Sequence, residues 1–319
     1  MRRSIAAFAA LLWLACAAQA QTFPSRPVTI VVPYPPGGLI DLVARALQPF
    51  LQTALGVSVL AENHGGAGGN VGAEFVARAA PDGYTLLLAN PSLAISPTLY
   101  KKLNYRPIED FAYVGRYGSV ANVLVVNPSL PVKTARELVA YAKQNPGRLN
   151  YGSPGYGTSP QLSSELFKSM SGTYIVHIPF RGAGPATAAL FGGEIEMMID
   201  NIPPQVGNIR AGKVRALAVT SLQRSSALPD VPTMDEIGLK GYEVVAWFGL
   251  ATRAGTPREV VLRLNAALNS ATSDPKLREI LESRGSTVVQ GTPEDFEGFV
   301  KAEIAKFAPV IKRTGVQVE

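Results

Sequence analysis

Short apolar segments rich in β-branched residues alternate with helical stretches along this sequence, and this alternation constrains the fold more than any other feature. The apolar segments are continuous, which is typical of strands that helices cover on both faces. The pattern therefore predicts an α/β fold. Strands are predicted at 28–32, 57–60, 84–89, 149–152, 174–178, 195–200 and 214–220, with a further extended segment at 242–251.

Helices are predicted between these strands from their periodicity and from the residues that begin and end helices. Two of them are expected at 39–55 and 70–80. Thr134 with Glu137 forms a capping-box pattern, and Ser159 before Pro160 predicts a helix that Ser159 caps. Further helix starts are predicted at Pro185, at Pro203 or Pro204, at Thr256 with Pro257, and at Thr292 with Pro293.

The first twenty residues resemble a cleavable secretory signal peptide. Arg2 and Arg3 give a basic start, residues 5–16 are apolar, and Ala-Gln-Ala at 18–20 supplies a small-residue cleavage pattern. The apolar run is too short to span a bilayer. The mature chain is therefore expected to begin near Gln21.

Cys16 is the only cysteine of the sequence, and it lies within the predicted signal peptide. The mature chain is therefore expected to have no disulfide, no zinc-thiolate site and no cysteine nucleophile. A lipoprotein anchored through Cys16 is the alternative. Trp13 argues against it, because a lipobox requires a branched aliphatic residue at that position.

The formal net charge is +6, and the Lys and Arg residues are scattered singly along the chain. Without a basic stripe or interleaved aromatic residues, the sequence argues against nucleic-acid binding. A basic balance weakly favours an anionic ligand. The sequence also has no P-loop lysine, no Gly-x-Ser-x-Gly motif and no metal-spaced His/Glu pair, so no catalytic residue, metal or cofactor is predicted.

The mature chain is long enough for two lobes, and it is predicted to cross between them near 118–128 and 240–250. The expected divisions are 21–122 for the N-terminal part of lobe 1, 123–244 for lobe 2, and 245–319 for a return to lobe 1 with C-terminal helices. Two crossings form a hinge, and such a hinge commonly closes around a ligand.

Ligand-contacting loops are expected where the strands end, because ligands of open α/β sheets bind beyond the carboxyl ends of the strands. Helix starts in these loops present unpaired N–H groups at the positive end of a helix dipole, where an anion binds. Hydroxyl groups of Ser92, Ser153, Thr158 and Ser159 would add donors. The sequence therefore predicts a site for a small organic anion.

Several of the residues in these loops have a structural explanation as well. Gly37 and Gly38 are either ligand contacts or turn residues with positive φ. Arg181 pairs either with the ligand or with Asp200 or Glu194. These alternatives stay open at the level of the sequence.

Other features favour a structural interpretation. Asp41, in a first helical turn, suits its own helix dipole but would repel an anion. The glycine-rich segment 65–69 lacks the glycine that a dinucleotide motif requires at Val71, which favours a close-packed loop over a phosphate cradle. A hydrolase would need Ser153 with His177 as its base, but a histidine in mid-strand is usually structural.

An ordered set of short motifs along the mature chain resembles the Bug receptors, the extracytoplasmic solute-binding proteins of tripartite tricarboxylate transport systems. Examples are VVPYPPGG at 31–38 and GYGTSP at 155–160. The remaining motifs lie at 26–28, 62–70, 80–85, 123–128, 179–182, 210–220, 228–233 and 247–250.

This resemblance implies a type II periplasmic-binding fold, with two lobes joined by a two-stranded hinge, and a periplasmic location. It implies a dicarboxylate, tricarboxylate, amino acid or aromatic acid as ligand, held by main-chain groups and ordered water from both lobes. The ligand-binding residues that it implies here are Tyr34, Gly37, Gly38, Leu39, Asn90, Ser92, Ser153, Gly157, Thr158, Ser159, Arg181, Gly182, Ala183 and Asp200.

The sequence departs from the family pattern at two positions. Gln161 stands where relatives often carry histidine, and Pro36 stands where alanine is usual. The first departure changes a hydrogen-bond donor near the implied site.

The resemblance also implies partners. The closed form, a monomer, would be presented to the membrane permease subunits of a transporter. The alternative is a ligand sensor that docks on a membrane signalling partner such as a sensor kinase, and both functions need the same closure.

Overall fold

The computed structural model of the protein describes residues 23–315, 317 and 318. The predicted signal peptide at 1–20, with Cys16, lies outside these residues. Within the described residues, no helix is both long enough and apolar enough to cross a membrane. Strands and helices alternate along the chain, which confirms the predicted α/β class.

The strands, in chain order, are β1 (Val28–Val32), β2 (Val59–Asn63), β3 (Thr85–Ala89), β4 (Phe111–Val126), β5 (Asn150–Ser153), β6 (Val176–Pro179), β7 (Met197–Asn201), β8 (Arg215–Val219), β9 (Val245–Arg253) and β10 (Ser286–Val288). The α-helices are α1 (Leu39–Leu55), α2 (Asn70–Ala77), α3 (Ser92–Leu99), α4 (Ala135–Gln144), α5 (Ser159–Ser171), α6 (Ala183–Gly192), α7 (Ile202–Arg210), α8 (Arg258–Ser273), α9 (Pro275–Glu282) and α10 (Pro293–Thr314).

One long strand, β4, belongs to two parts of the sheet. Its residues 111–121 pair with β9, and 118–120 also pair with β10, whereas 122–126 pair with β7 and 123–126 with β8. The strand order is β2-β1-β3-β9-β4 on one side and β4-β7-β5-β6 on the other. We call the part containing β1–β3, β9 and β10 lobe 1, and the part containing β5–β8 lobe 2.

The chain returns from lobe 2 to lobe 1 beside β4. The main-chain N–H of Val244 donates to the carbonyl of Thr220, at the end of β8. The next residue, Val245, already pairs with Ala121 in lobe 1. The two connections between the lobes therefore lie next to each other, which is the arrangement of a two-stranded hinge.

Helices cover both faces of the sheet in lobe 1, and this explains the continuous apolar strands. Val28, Ile30 and Val32 of β1 are fully buried in the cluster that includes α1. Val31, which points to the opposite face, is fully buried in the cluster that includes Val76 of α2. Burial on both faces explains why four of the five residues of β1 are valine or isoleucine, with only Thr29 partly exposed.

The C-terminal helices pack onto lobe 1. Helix α8 contacts α1 and β4, and α10 contacts α3 and β4, with a further contact to α5 of lobe 2. The main chain of Val318 bonds to Leu99 and Lys101 at the end of α3. The C-terminal part therefore completes an existing layer and builds no separate domain.

Strand β4 was not predicted from the sequence, because glycines interrupt its apolar pattern. A β-carbon at Gly118 would overlap the ring of Phe248, and one at Gly115 would lie 3.0 Å from Asn265 Nδ2. The register of β4 against β9 shifts at both places. Helix α3 was also missed, since it contains Pro97 and lacks a side-chain cap.

Two predicted helix caps were wrong. Ser159 does not cap α5, because Thr158 has the extended backbone of a cap residue and its Oγ1 accepts from Gln161 N at 3.3 Å. Thr256 does not cap α8, because its hydroxyl donates to the carbonyl of Arg253 at 2.8 Å. The hydroxyl of Ser159 therefore makes no capping hydrogen bond and is available for another contact.

Two other helix starts differ in detail. Helix α6 begins at Ala183, two residues before the predicted Pro185. In α4, the Oγ1 of Thr134 accepts from Glu137 N as predicted, but the Glu137 carboxylate accepts from Lys133 N, one residue before the cap.

Replacing Tyr117 by phenylalanine is expected to stabilise the protein. The side chain is 0 % exposed, and its hydroxyl has no hydrogen-bond partner among the described residues. Removing an unsatisfied buried hydroxyl should raise the free energy of unfolding by about 1 kcal/mol. Tyr242 is the matched control, since it is equally buried but donates to the carbonyl of Ser163 at 2.6 Å. Tyr242→Phe should lower the free energy of unfolding. Urea denaturation of both variants measures these changes, which should have opposite signs.

Candidate functional site

A cleft lies where the two lobes meet. The loops after β1, β3, β5 and β6 reach it, together with the last residue of β7 and Ala246 near the start of β9. Its lining residues are Tyr34, Pro35, Pro36, Gly38, Leu39, Ile40, Asn90, Pro91, Pro154, Thr158, Ser159, Pro160, Arg181, Gly182, Ala183, Gly184, Pro185, Asn201 and Ala246.

On the side of lobe 1, the cleft meets the start of helix α1. Gly38 is the N-cap residue, and no side chain caps the helix. The N–H groups of Leu39 and Ile40, in the first turn, have no acceptor within the helix. This start therefore offers donors and the positive end of a 17-residue helix dipole to the cleft.

Asp41 lies in the first turn of α1, but its carboxylate is engaged elsewhere. Arg45 Nε and Asn63 Nδ2 donate to its Oδ1 at 2.9 and 3.0 Å, and Gly37 N donates to its Oδ2 at 3.0 Å. Although burial alone would raise the pKa of Asp41, these bonds hold it below its usual value. The structure thus gives Asp41 the structural role expected from the sequence.

On the side of lobe 2, the cleft meets the start of helix α6. Its N-cap residue is Gly182, again without a side-chain cap, and the N–H of Gly182 bonds to the carbonyl of Pro154. The N–H groups of Ala183 and Gly184 lie in the first turn, which leaves them without acceptors in the helix. Two uncapped helix starts, one from each lobe, therefore line the same cleft.

Arg181 lies next to the start of α6 and is exposed. Neither Asp200 nor Glu194, its two predicted structural partners, forms an ion pair with it, and no other carboxylate in the described residues does so. The guanidinium group is thus the unpaired positive charge in the lining of the cleft.

Ser159 and Asn201 lie together in the wall of lobe 2. Asn201 Nδ2 lies 3.5 Å from Ser159 Oγ and donates to Asn122 Oδ1 at 2.5 Å. The hydroxyl hydrogen of Ser159 remains without an acceptor among the described residues. Asn201 was missed because Asp200 was chosen in its place, and the alternation of a strand sends these neighbours to opposite faces.

The structure brings together nine of the residues implied by the resemblance, since they line the cleft: Tyr34, Gly38, Leu39, Asn90, Thr158, Ser159, Arg181, Gly182 and Ala183. It places Gly37, Ser92, Ser153, Gly157 and Asp200 outside this lining. Residues of the second group surround and support the loops that carry the first.

Gly37 and Gly38 differ in backbone conformation and in position relative to the cleft. Gly37 has a φ of +91° and supports the turn before α1, whereas Gly38 has a φ of −82° and lines the cleft. Ser92, buried at the start of α3, donates its N–H to Asn90 Oδ1 at 3.1 Å. Gly157 packs near Tyr100 and Leu99, beneath the loop that carries Thr158.

Ser153 and His177 form the hydrogen-bonded pair that a hydrolase would need. Ser153 Oγ lies 2.6 Å from His177 Nε2, but Ser153 is 0 % exposed and also bonds to Gly155. The imidazole stacks on Tyr151, and burial, with the charge of Lys168, lowers the pKa of His177 to about 4. The pair lies outside the lining of the cleft and holds the loop 153–159 against β6.

The glycine-rich segment 65–69 packs closely against its surroundings. A β-carbon at Gly68 would overlap the main-chain oxygen of Tyr156 in lobe 2. The carbonyl of Gly68 also accepts from Tyr34 Oη at 2.8 Å. These contacts agree with a close-packed loop. No group of metal-ligating side chains in the described part of the chain is suited to hold a metal ion.

The model of the tripartite tricarboxylate transporter family receptor matches residues 43–316 of this chain. The chain belongs to this receptor family. The resemblance stated from its motifs is thereby confirmed.

Three solved structures of related proteins support this assignment. The periplasmic binding protein BugD is 37 % identical with a TM-score of 0.89, and the match covers 93 % of this chain and 100 % of that chain. Rpa4515 of R. palustris with adipate is 36 % identical with a TM-score of 0.89, covering 92 % and 99 %. MatC of Rhodopseudomonas palustris with bound malate is 35 % identical with a TM-score of 0.84, covering 91 % and 100 %. The receptor thus has the fold of periplasmic binding proteins, as predicted.

Asp200 lies beneath the cleft of the receptor, on the side opposite Asn201. Its Oδ2 accepts from Gln205 Nε2 at 2.8 Å, and its Oδ1 has no hydrogen-bond partner among the described residues. Burial raises the pKa of Asp200 to about 6, and the bonds from Gln205 and the Asn201 main chain offset only part of this shift. A carboxylate placed there contributes little to an anion site.

The Asp200→Asn variant is expected to be more stable than the parent receptor at pH 7. Because the folded-state pKa of about 6 exceeds the ordinary value of 3.8, the folded carboxyl holds its proton more tightly than the unfolded one. The parent therefore loses stability as pH rises from about 4 to about 6, by on the order of 2 kcal/mol. Urea denaturation between pH 4 and 7 should show the advantage of the variant growing with pH. A difference independent of pH would contradict this explanation.

Proposed function

We propose that this receptor binds a small organic anion through a carboxylate in the cleft between its lobes. The observation that carries the proposal is the meeting of two uncapped helix starts, at Gly38 and Gly182, beside the unpaired Arg181. A carboxylate enclosed by protein needs several donors, since an uncompensated charge in a closed cleft is costly. The adipate and malate of the two related structures support a carboxylate ligand.

The rigid main chain supplies most of the proposed donors. The N–H groups of Leu39, Ile40, Ala183 and Gly184 add the positive ends of two helix dipoles. The Ser159 hydroxyl and the Arg181 guanidinium add two side-chain donors, and Arg181 also supplies a full charge. Such a set recognises charge and geometry without a reactive side chain.

We further propose that the receptor catalyses no reaction. The Ser153–His177 pair is the arrangement closest to a catalytic one, and its contacts argue for a structural role. The Ser153 hydroxyl is buried outside the cleft, and no carboxylate among the described residues orients His177. A bound acid should therefore leave the protein chemically unchanged.

Ligand binding is proposed to occur by closure of lobes with the predicted divisions 21–122, 123–244 and 245–319. Closure is supported by contacts that the two lobes make across the cleft. Gly68 approaches the main chain of Tyr156, and a β-carbon at Gly182 would lie 3.6 Å from Pro35 Cγ. An anion that bonds to both lobes favours the closed form over the open one.

Export through the signal peptide at 1–20 would place the receptor in the periplasm as a monomer. There, the closed form would present its bound acid to the permease subunits of a tripartite tricarboxylate transporter. The family match supports this role, because the family consists of receptors of that transporter class.

The test of this function is calorimetry with the acid that the purified receptor retains, identified by mass spectrometry, and with adipate and malate as first probes. Arg181→Gln should weaken binding about ten-fold, and Ser159→Ala by a similar factor, because each variant loses a bond to a charged group. Arg148→Gln is the matched control, since Arg148 is an exposed arginine in the loop before β5, outside the cleft lining.

Equal affinity of Arg181→Gln and Arg148→Gln would remove Arg181 from the site. A receptor that retains no acid and binds none in calorimetry would contradict the proposed function as a whole.

Closure is tested by Gly68→Ala, which should hold the lobes apart. The added methyl group would overlap Tyr156, so the closed form should be disfavoured and affinity should fall at least ten-fold. Gly212→Ala is the matched control, because Gly212 has nearly the same φ, +68° against +66°, and nothing within 4 Å of an added β-carbon. Both variants carry the same conformational cost of alanine at positive φ.

Small-angle scattering with and without the bound acid measures the closure. The parent and Gly212→Ala should become more compact on binding, whereas Gly68→Ala should not. A Gly68→Ala variant that compacts and binds like the parent would exclude closure through this contact.

A further inference from the structure

We propose that the cleft selects organic acids whose carbon skeleton carries no hydroxyl or amino group. This inference rests on the proposed function, since it takes a carboxylate as the anchored group. It concerns the part of the ligand that lies between or beyond its carboxylates, and it follows from the hydrogen-bonding capacity of the cleft wall.

Proline makes up an unusual share of the wall. A proline has no main-chain N–H, and its ring offers only carbon atoms to a ligand. The prolines of the lining come from both lobes: Pro35, Pro36 and Pro91 from lobe 1, and Pro154, Pro160 and Pro185 from lobe 2.

About half of the buried lining is also apolar, and its polar members are Asn90, Thr158, Ser159 and Asn201. Ile40, Pro91, Pro160 and Ala246 are all buried and all line the cleft. None of these side chains has a hydrogen-bonding atom. A ligand group that lies against them exchanges its contacts with water for contacts with carbon alone.

The polar side chains nearby are already engaged. The Tyr34 hydroxyl donates to Gly68 O at 2.8 Å, and the Thr158 hydroxyl donates to Gly155 O at 2.8 Å. Asn90 Nδ2 donates to the Leu88 carbonyl at 3.1 Å. These three residues face the cleft with hydrogen-bonding atoms that the protein itself satisfies.

The donors that remain belong to a few groups of the lining. They are the starts of α1 and α6, Arg181 and Ser159, the groups proposed to hold a carboxylate. A ligand hydroxyl or ammonium group needs an acceptor, and Asn90 Oδ1 already accepts from Tyr34 Oη and Ser92 N. The remaining side-chain acceptors, on Ser159 and Asn201, lie together in the wall of lobe 2. A hydroxyl or ammonium group away from this pair would lie against apolar side chains without a side-chain partner. Losing its bonds to water there should cost about ten-fold or more in affinity.

Matched pairs of acids test this selectivity by calorimetry. The pairs are succinate with malate, glutarate with glutamate, and benzoate with 4-hydroxybenzoate. In each pair that contains a binder, the unsubstituted acid should bind at least ten-fold more tightly.

The outcomes separate this inference from the proposed function. Equal or tighter binding of malate, glutamate or 4-hydroxybenzoate than of its partner would overturn the selectivity while leaving a carboxylate receptor. Failure of every acid in the panel to bind, together with no retained acid, would overturn both.

Ala246→Ser tests the wall itself. The variant adds one hydroxyl to the buried lining and should reduce the preference for the unsubstituted acid several-fold. Ala251→Ser is the control, because Ala251 is equally buried in β9 but lies outside the cleft lining. The control should cost stability and leave the preference unchanged. An unchanged preference in Ala246→Ser as well would exclude the wall as its source.

Discussion

The continuity of strand β4 across both lobes is the constraint on which the cleft depends. The strand exchanges its partners β9 and β10 for β7 and β8 between Ala121 and Asn122, while remaining one extended segment. The loops at the carboxyl ends of β1 and β3 in lobe 1 then face those of β5 and β6 in lobe 2. The site follows from this junction, because it brings residues 34–40 of lobe 1 to residues 154–185 of lobe 2.

The electrostatics of the cleft depend on the two carboxylates that lie outside it as much as on the groups that line it. Arg45 and Asn63 hold the carboxylate of Asp41 at the start of α1, and Asp200 points to the far side of β7 toward Gln205. Two uncapped helix starts and Arg181 remain in the lining, between walls of proline and aliphatic carbon. Positive potential from the helix starts and Arg181, together with apolar contacts, suits a receptor for organic acids.

The local elements were largely predictable, and the errors share one cause. Strand β1 and helix α1 have the predicted bounds, since continuous burial and helical periodicity mark them in the sequence. Ser159 was taken for the cap of α5, although Thr158 holds that place, and Asp200 was chosen where Asn201 lines the cleft. In both cases adjacent residues have similar chemistry, and only backbone angles or strand orientation distinguish them.

The sequence alone determined the α/β class, the loops that reach the cleft and the family, because these depend on periodicity and on short motifs. Tertiary structure decided which polar groups are free to meet a ligand. The hydrogen bonds that occupy Tyr34, Asn201 and Ser153 join residues 24 to 79 positions apart in the chain. The absence of a carboxylate beside Arg181 likewise depends on how distant segments pack. A hydrogen-bond donor bonds to an acceptor that lies close to it in the folded structure. The spacing of residues along the chain does not reveal which acceptor that is.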